Sequence, residues 1–299
     1  MACQRYQSFR FTDESLKMIA VMRGIVADFM KQGFVLTVRQ LYYQLVARDI
    51  IPNNERSYKR ITSLANDARL AGLIDWDAIE DRTRSFVRRQ RWESGREILQ
   101  ASARGFHMDM WENQECRPFV IIEKEALVGV LTNVCGKYDV PVLAARGYPS
   151  GTVLREFAVE DIIPSAHAGQ NIVIIHLGDH DPSGLDMTRD LRERIEMFSE
   201  SHDYGFHIEV NRIALNMEQI EERNPPPNPA KTTDARFAAY REQYGDESWE
   251  LDALPPAYLV ELVESQILGN IDADAWKSRM KYVEGVRSQL SKVAKDFAA

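Results

Sequence analysis

Two aspartates two residues apart, Asp179 and Asp181, follow an apolar run in the stretch NIVIIHLGDHDPSGLDM, Asn171 to Met187. Two carboxylates about 4 Å apart repel by roughly 4 kcal/mol at an effective dielectric of 20. A hard divalent cation that prefers oxygen ligands, Mg²⁺ above all, removes that repulsion. The same residues also admit a purely structural reading, in which Asp181 caps a helix whose first residue is Pro182.

The elements around the pair decide where it sits. Val173, Ile174 and Ile175 form a β-branched run typical of a strand covered on both faces, and Gly178 punctuates its end. An earlier stretch, PFVIIEKEALVGV from Pro118 to Val130, is a second strand-to-helix junction that presents Glu123 at the strand's carboxyl end. Between them Val140 to Ala145 reads as a strand, after which Arg146-Gly147-Tyr148-Pro149-Ser150-Gly151-Thr152 opens another helix. Strands alternating with helices predict an α/β fold with right-handed crossovers and a parallel sheet, whose ligands sit at the carboxyl ends of the strands. Glu123, Arg146, Asp179 and Asp181 are therefore expected on one rim.

IIEKEAL followed by GDHDPSG resembles the Toprim domain of topoisomerases, primases and related nucleases. The likeness is nearest to the A subunit of type IIB topoisomerases (topoisomerase VI) and the related transesterase that starts meiotic recombination. It implies a Rossmann-like, mostly parallel sheet and Mg²⁺ bound by Glu123, Asp179 and Asp181. His180 stands where that family usually has proline. Flanked by the two acids in an extended segment, it points away from them and reads as a spacer. His176 reads as a core residue.

Composition bounds the rest. The chain has 299 residues, of which 44% are hydrophobic, enough for two domains with their own cores. No apolar run approaches the length of a bilayer span, and MACQRYQSFR lacks a signal peptide's apolar centre, so a cytoplasmic protein without membrane contact is expected. Cys3, Cys116 and Cys135 are scattered and suit neither a disulfide framework nor a zinc ribbon. The net charge of −8 is unevenly spread. Residues 1–100 hold 17 Lys and Arg against 12 Asp and Glu, and the remainder holds 20 against 33. The basic excess thus lies in the N-terminal part, where a DNA-contacting surface is expected.

In that part, Thr12 caps a predicted helix from Asp13 to about Lys31, Thr37 caps a second, VRQLYYQLVARD, and a third runs from Tyr58 to Ala71. Three helices followed by short apolar strands predict a winged helix, with Lys59, Arg60 and Arg69 of the third helix facing the major groove of double-stranded DNA. Arg82, Arg84, Arg88, Arg89, Arg91 and Arg96, with Phe86 and Trp92 between them, form a basic stretch that reads either as a solvated helix face or as a phosphate-contacting connector. A linker over 101–117 divides a winged-helix domain, 1–105, from a Toprim domain with a C-terminal extension, 115–299.

Later in the chain His207 to Leu215 reads as a fourth strand and Asn224-Pro225-Pro226-Pro227-Asn228-Pro229 as a stiff surface loop. A short helix spans Asp234 to Tyr244. In SWELDALPP, Trp249 and Leu251 alternate with Glu250 and Asp252, and Pro255-Pro256 start an amphipathic helix that Gly269 ends.

Thr37-Val38-Arg39-Gln40-Leu41-Tyr42-Tyr43 resembles the T-x-R-x-[IL]-Y-Y signature of the type IIB A subunit. That resemblance makes Tyr43 the nucleophile toward DNA and Arg39 its associated arginine. Four residues apart on a helix, the two share a face, so a guanidinium can hold the phosphate that the phenol attacks. LYYQLV is also a good core helix, in which one tyrosine must face inward. The resemblance further implies a homodimer, because in the family tyrosine and metal come from different protomers, and a separate ATPase subunit for strand passage. Two other functions remain open from the sequence: a Toprim nuclease using metal-activated water, and a non-catalytic DNA-binding module.

Overall fold

The computed structural model describes residues 3–80, 89–200 and 207–297. Arg82, Arg84, Phe86 and Arg88 of the basic stretch lie outside them. The first helix, α1, spans Asp13–Lys31, with the Thr12 side chain accepting from the Ser15 N–H as expected. A capping box fixes the start of α2, Val38–Ala47. Thr37 Oγ1 accepts from the Gln40 N–H and Gln40 Oε1 accepts from the Thr37 N–H. Helix α3, Glu55–Leu70, begins a turn earlier than Tyr58, because Asn54 in the polar break serves as its cap. The three helices close over Met22, Ile25, Leu41, Leu45, Ile61 and Ala65, all essentially without solvent exposure.

After α3, where the periodicity predicts short strands, the chain makes a one-turn 3₁₀ helix, Trp76–Ala78, and a single parallel bridge, Leu36 to Ile79. Among the described residues this bridge is the only sheet pairing in the N-terminal part. Helix α4, Gly95–Gly105, belongs by its packing with the end of the chain: Arg96 donates to the Phe297 carbonyl, and Arg287 Nε donates to the Phe106 carbonyl.

The second part is an α/β layer built on a sheet of four parallel strands in the order β2-β1-β3-β4. These are β1 (Cys116–Ile122), β2 (Val142–Ala144), β3 (Asn171–Leu177) and β4 (Ile208–Ala214). Successive residues of β1 and β3 alternate between the faces. Val120, Ile122, Val173 and Ile175 pack under α5 (Glu125–Lys137). Phe119, Ile121, Ile172 and Ile174 pack under α6 (Gly151–Phe157). A short π-type turn carries α6 into α7, Ile163–His167. Helix α8, Pro182–Glu200, covers the same face as α6 through Met187, Leu191 and Ile195.

After β4 come α9 (Met217–Arg223), a two-residue pairing of β5 (Asn228–Pro229), α10 (Phe237–Tyr244) and β6 (Glu247–Ser248), the partner of β5. The Pro-rich segment is therefore docked, with Asn53 Nδ2 donating to the Pro227 carbonyl and to Asn228 Oδ1. Helix α11, Pro256–Leu268, starts at the proline pair, ends at Gly269, and packs on α5 through Leu259, Val263 and Ile267. A final helix, α12 (Ala273–Asp296), absent from the elements predicted above, runs along α4.

The turn from β3 into α8 is held tightly. A Cβ placed on Gly184 would run into the main-chain carbonyl of Asp179, which cannot swing aside as a side chain would. Gly184→Ala is expected to destabilise the fold by about 1–3 kcal/mol, the usual range for forced overpacking. A denaturant midpoint unchanged by this substitution would show that the loop yields without strain.

Candidate functional site

Strands β1, β2 and β3 all end on one side, and the residues expected on that rim are there. Glu123 follows β1 directly, and its Oε2 accepts from the Asp179 N–H at 2.8 Å, so two strand ends are joined by one carboxylate. Asp179 is 5% exposed. Its Oδ1 accepts from the Leu251 N–H at 2.9 Å and its Oδ2 pairs with Lys124 Nζ at 2.6 Å. Asp181 caps α8, accepting from the Gly184 N–H at 2.6 Å, so the structural reading of this residue holds. Capping occupies one oxygen and does not exclude a second partner on the other.

Arg146 lies after β2 with φ 53°, a left-handed backbone uncommon outside glycine, and its guanidinium pairs with Glu125. His180 turns away from the acids into an aromatic pocket of Tyr240, Tyr244 and Trp249, with Nδ1 2.9 Å from the Tyr240 hydroxyl. His176 is buried against Thr188. Burial and the nearby Arg212 push its pKa down to about 3, so it is neutral.

Arg212, from β4, shapes the whole loop. Its guanidinium donates to the carbonyls of Gly178, Asp179, Gly184 and Leu215 at 2.6–3.2 Å. Four carbonyls of two loops are thereby aimed inward, and the acids borne on those loops are held in place.

Arg39 and Tyr43 share a face of α2 as the spacing predicts, with the guanidinium 5.8 Å from the ring centre. They meet the rim through Glu250 and Asp252, whose alternation with Trp249 and Leu251 carries no sign of this role. Arg39 pairs with Glu250, and its Nε lies 3.1 Å from Asp252 Oδ2. Glu250 reaches Lys124 Nζ at 3.3 Å. A continuous polar path thus runs within one chain from Tyr43 through Arg39, Glu250 and Lys124 to Asp179 and Glu123. Beside it a cavity of about 280 Å³ is lined by Arg39, Tyr42, Tyr43, Asn53, Tyr58, Asn228 and Glu250.

The two tyrosines do different things. Tyr42 is a structural donor and acceptor: its hydroxyl donates to Asn53 Oδ1 at 2.9 Å and accepts from the Asn54 N–H at 2.9 Å, holding the start of α3. Tyr43 is 4% exposed. Burial first, then the Asp252 and Glu250 carboxylates, raise its pKa well above the phenol range, with Arg39 working against them.

The cations expected to face DNA divide as well. Lys59 and Arg60 are exposed, in surface pairs with Glu55 and Glu14. Arg69 is turned inward. It stacks over Trp76 at 4.3 Å and donates to the carbonyls of Trp76 and Ile79, so its place is structural and it is not a free surface cation. Arg89, Arg91 and Trp92 are exposed.

The donor set suits a hard cation in type. Five carboxylates (Glu123, Asp179, Asp181, Glu250, Asp252) stand among three cations (Lys124, Arg39, Arg212), and burial together with this crowding of acids raises the Glu123 and Asp252 carboxyls to about 7. Among the described residues, no group of three His, Cys, Asp or Glu side chains is closed tightly enough to form a ready ligand cage. No protein-family model matches the chain, and no curated protein matches it significantly.

Burial, and next the Asp179 carboxylate, raise the Glu123 carboxyl from its ordinary value near 4.5 to about 7. A carboxyl raised on folding contributes stability that is complete below its unfolded pKa and is lost as pH rises through its folded one. Neutral Glu123→Gln keeps an oxygen to accept from Asp179. In chelator it should match the parent near pH 4.5 and exceed it at pH 8 by roughly 3 kcal/mol, since each pKa unit is worth about 1.4 kcal/mol. Equal denaturation midpoints at pH 8 would show that Glu123 ionises without cost.

Proposed function

We propose that this chain cleaves double-stranded DNA in a Mg²⁺-dependent tyrosine transesterification of the topoisomerase VI A kind, through an N-terminal DNA-binding part and a Toprim-like acid rim. The observation that carries this reading is the single polar path joining Tyr43 and Arg39 to Lys124, Asp179 and Glu123. Glu123, Asp179 and Asp181 are the residues to hold Mg²⁺. When bound, the ion neutralises phosphate charge and favours in-line attack. Arg39 orients the phosphate toward the phenol. Tyr43 Oη forms the bond to phosphorus while the bond to the 3′ oxygen breaks. The phenolic proton is given up to water, the departing 3′ oxygen takes a proton from water and leaves as a hydroxyl, and the 5′-phosphate stays on the tyrosine. Lys59, Arg60 and Arg146, exposed on the surface, supply sequence-independent phosphate contacts.

A second reading is favoured by one observation, the burial of Tyr43 and the upward shift of its pKa by two neighbouring carboxylates. In that reading metal-activated water is the nucleophile and Tyr43 packs the junction. Two further implications of the resemblance, a homodimer and a separate ATPase subunit, belong to the same proposal.

Detergent trapping during cleavage separates the readings. The parent protein should become covalently joined to DNA 5′ ends in Mg²⁺, and Tyr43→Phe should lose capture while its stability changes by about 1 kcal/mol, a typical hydrogen bond. Tyr42→Phe should keep capture although it loosens the α3 cap. Cleavage by Tyr43→Phe at the parent rate would make water the nucleophile. Mg²⁺ should also raise the melting temperature of the parent but not of Asp179→Ala, because only a ligand bound to the folded state shifts unfolding.

A further inference from the structure

Arg39 and Lys124 reach each other across the junction of the two parts, one from α2 and the other from the start of α5. Each has two carboxylate partners of different kinds. Arg39 Nε faces Asp252, whose side chain has no exposure, and Lys124 faces Asp179, whose side chain is 7% exposed. Those two acids are fixed. The other partner is common to both cations: Glu250, with a side chain 23% exposed on the cavity wall, whose Oε2 pairs with Arg39 and lies 3.3 Å from Lys124 Nζ. One carboxylate oxygen bridging two cations is the arrangement that a non-ester phosphate oxygen takes up between an arginine and a lysine.

The replaceable member is therefore the acid, not the cations. Glu250 can leave toward the cavity while Arg39 keeps Asp252 and Lys124 keeps Asp179, whereas those two carboxylates are enclosed and have no solvent to move into. The remaining contact to Glu250 is a weak one, Asn228 Nδ2 to Oε1 at 3.3 Å. Next to the bridge, the cavity offers the aromatic rings of Tyr42 and Tyr58 and the amides of Asn53 and Asn228. Such a lining suits a sugar and base attached to a phosphodiester better than a free inorganic anion.

We propose that Arg39 and Lys124 form a two-cation clamp for one DNA phosphodiester, and that Glu250 occupies this clamp as an internal stand-in which the phosphodiester must displace. The inference rests on the DNA-cleaving reading for the identity of the ligand, and it adds Lys124 as a phosphate ligand and Glu250 as the group holding the empty site closed. Displacement moves Glu250 away from Arg39 and Lys124, toward the cavity that Tyr43 also lines. DNA binding and the freeing of that carboxylate are thus one event.

The test is equilibrium binding of the full-length protein to a short duplex oligonucleotide in chelator, over a range of salt, so that no cleavage intervenes. Glu250→Gln should bind about tenfold tighter than the parent at low salt. Glu55→Gln, which removes an exposed acid at the edge of the same cavity, should change affinity less than twofold. Lys124→Met should bind more weakly, with a salt slope shallower by about one, the loss of one phosphate contact. In the Lys124→Met background, Glu250→Gln should recover only part of its gain, because one of the two cations it releases is gone. Glu250→Ala gives the same readout should the glutamine variant fold poorly. Parent-like affinity for Glu250→Gln and Glu250→Ala, an equal gain from Glu55→Gln, or an undiminished gain in the Lys124→Met background would each overturn the clamp while leaving the DNA reading standing. If neither the parent nor Glu250→Gln binds duplex at any salt concentration, both fall together.

Discussion

A charge taken out of water must meet an opposite charge or a dense set of hydrogen bonds, and this requirement organises the centre of the molecule. Asp179 and Asp252 are both buried, and each is met by a cation reaching in from another element. Breaking such a pair by removing one partner typically costs about 3–5 kcal/mol. Lys124 and Arg39 are consequently held where the first and second parts of the chain touch. Arg212 solves the same problem with dipoles, its two terminal nitrogens donating to four main-chain carbonyls and so fixing the turn that carries Asp179 and Asp181.

The segment Leu251–Ala253 makes the two parts one body. Leu251 packs into the core under the parallel sheet, Ala253 into the core of the three N-terminal helices, and Asp252 between them meets Arg39. Three consecutive residues thus serve two apolar cores and a buried ion pair. The Leu251 N–H is also a donor to Asp179, so the same segment sets the geometry of the rim. Opening the junction would expose apolar surface on both sides and unpair a buried carboxylate at once.

What was legible in the sequence is what local periodicity encodes. The β-branched runs before Glu123 and Asp179 gave the strands, the alternation of strands with helices gave the parallel sheet, and the spacing of Arg39 and Tyr43 gave a shared helix face. Thr12 and Thr37 act as caps because a side-chain oxygen before an apolar stripe has little else to bond. The missed features depend on contacts remote in sequence. Glu250 and Asp252 alternate with Trp249 and Leu251, a pattern that puts both acids on one face, but only the fold shows that this face meets Arg39, 211 residues from Glu250. Arg69 looked like a surface cation because basic residues on a third helix usually are; stacking on Trp76, seven residues on, turns it inward. The true start of α3 is hidden because Asn54 sits in a Pro-Asn-Asn run that looks like loop throughout, although a capping asparagine is itself non-helical.

Tyr42 and Tyr43 show how little a motif alone decides. Both are aromatic, adjacent and almost equally buried, and ring contacts at 5.2–5.3 Å link Tyr42 to Tyr43 and to Tyr58. Their hydroxyls differ in what surrounds them. The Tyr42 hydroxyl closes a local circuit with Asn53 and Asn54, which fills its hydrogen-bonding capacity and ties it to one turn. That of Tyr43 is surrounded by charge, a guanidinium that favours the phenolate and two carboxylates that oppose it. A phenol in such a setting changes its proton affinity when one neighbour moves, whereas one locked into an amide circuit does not. With Glu250 the most exposed of those two carboxylates, the balance at Tyr43 is set by the position of a single side chain.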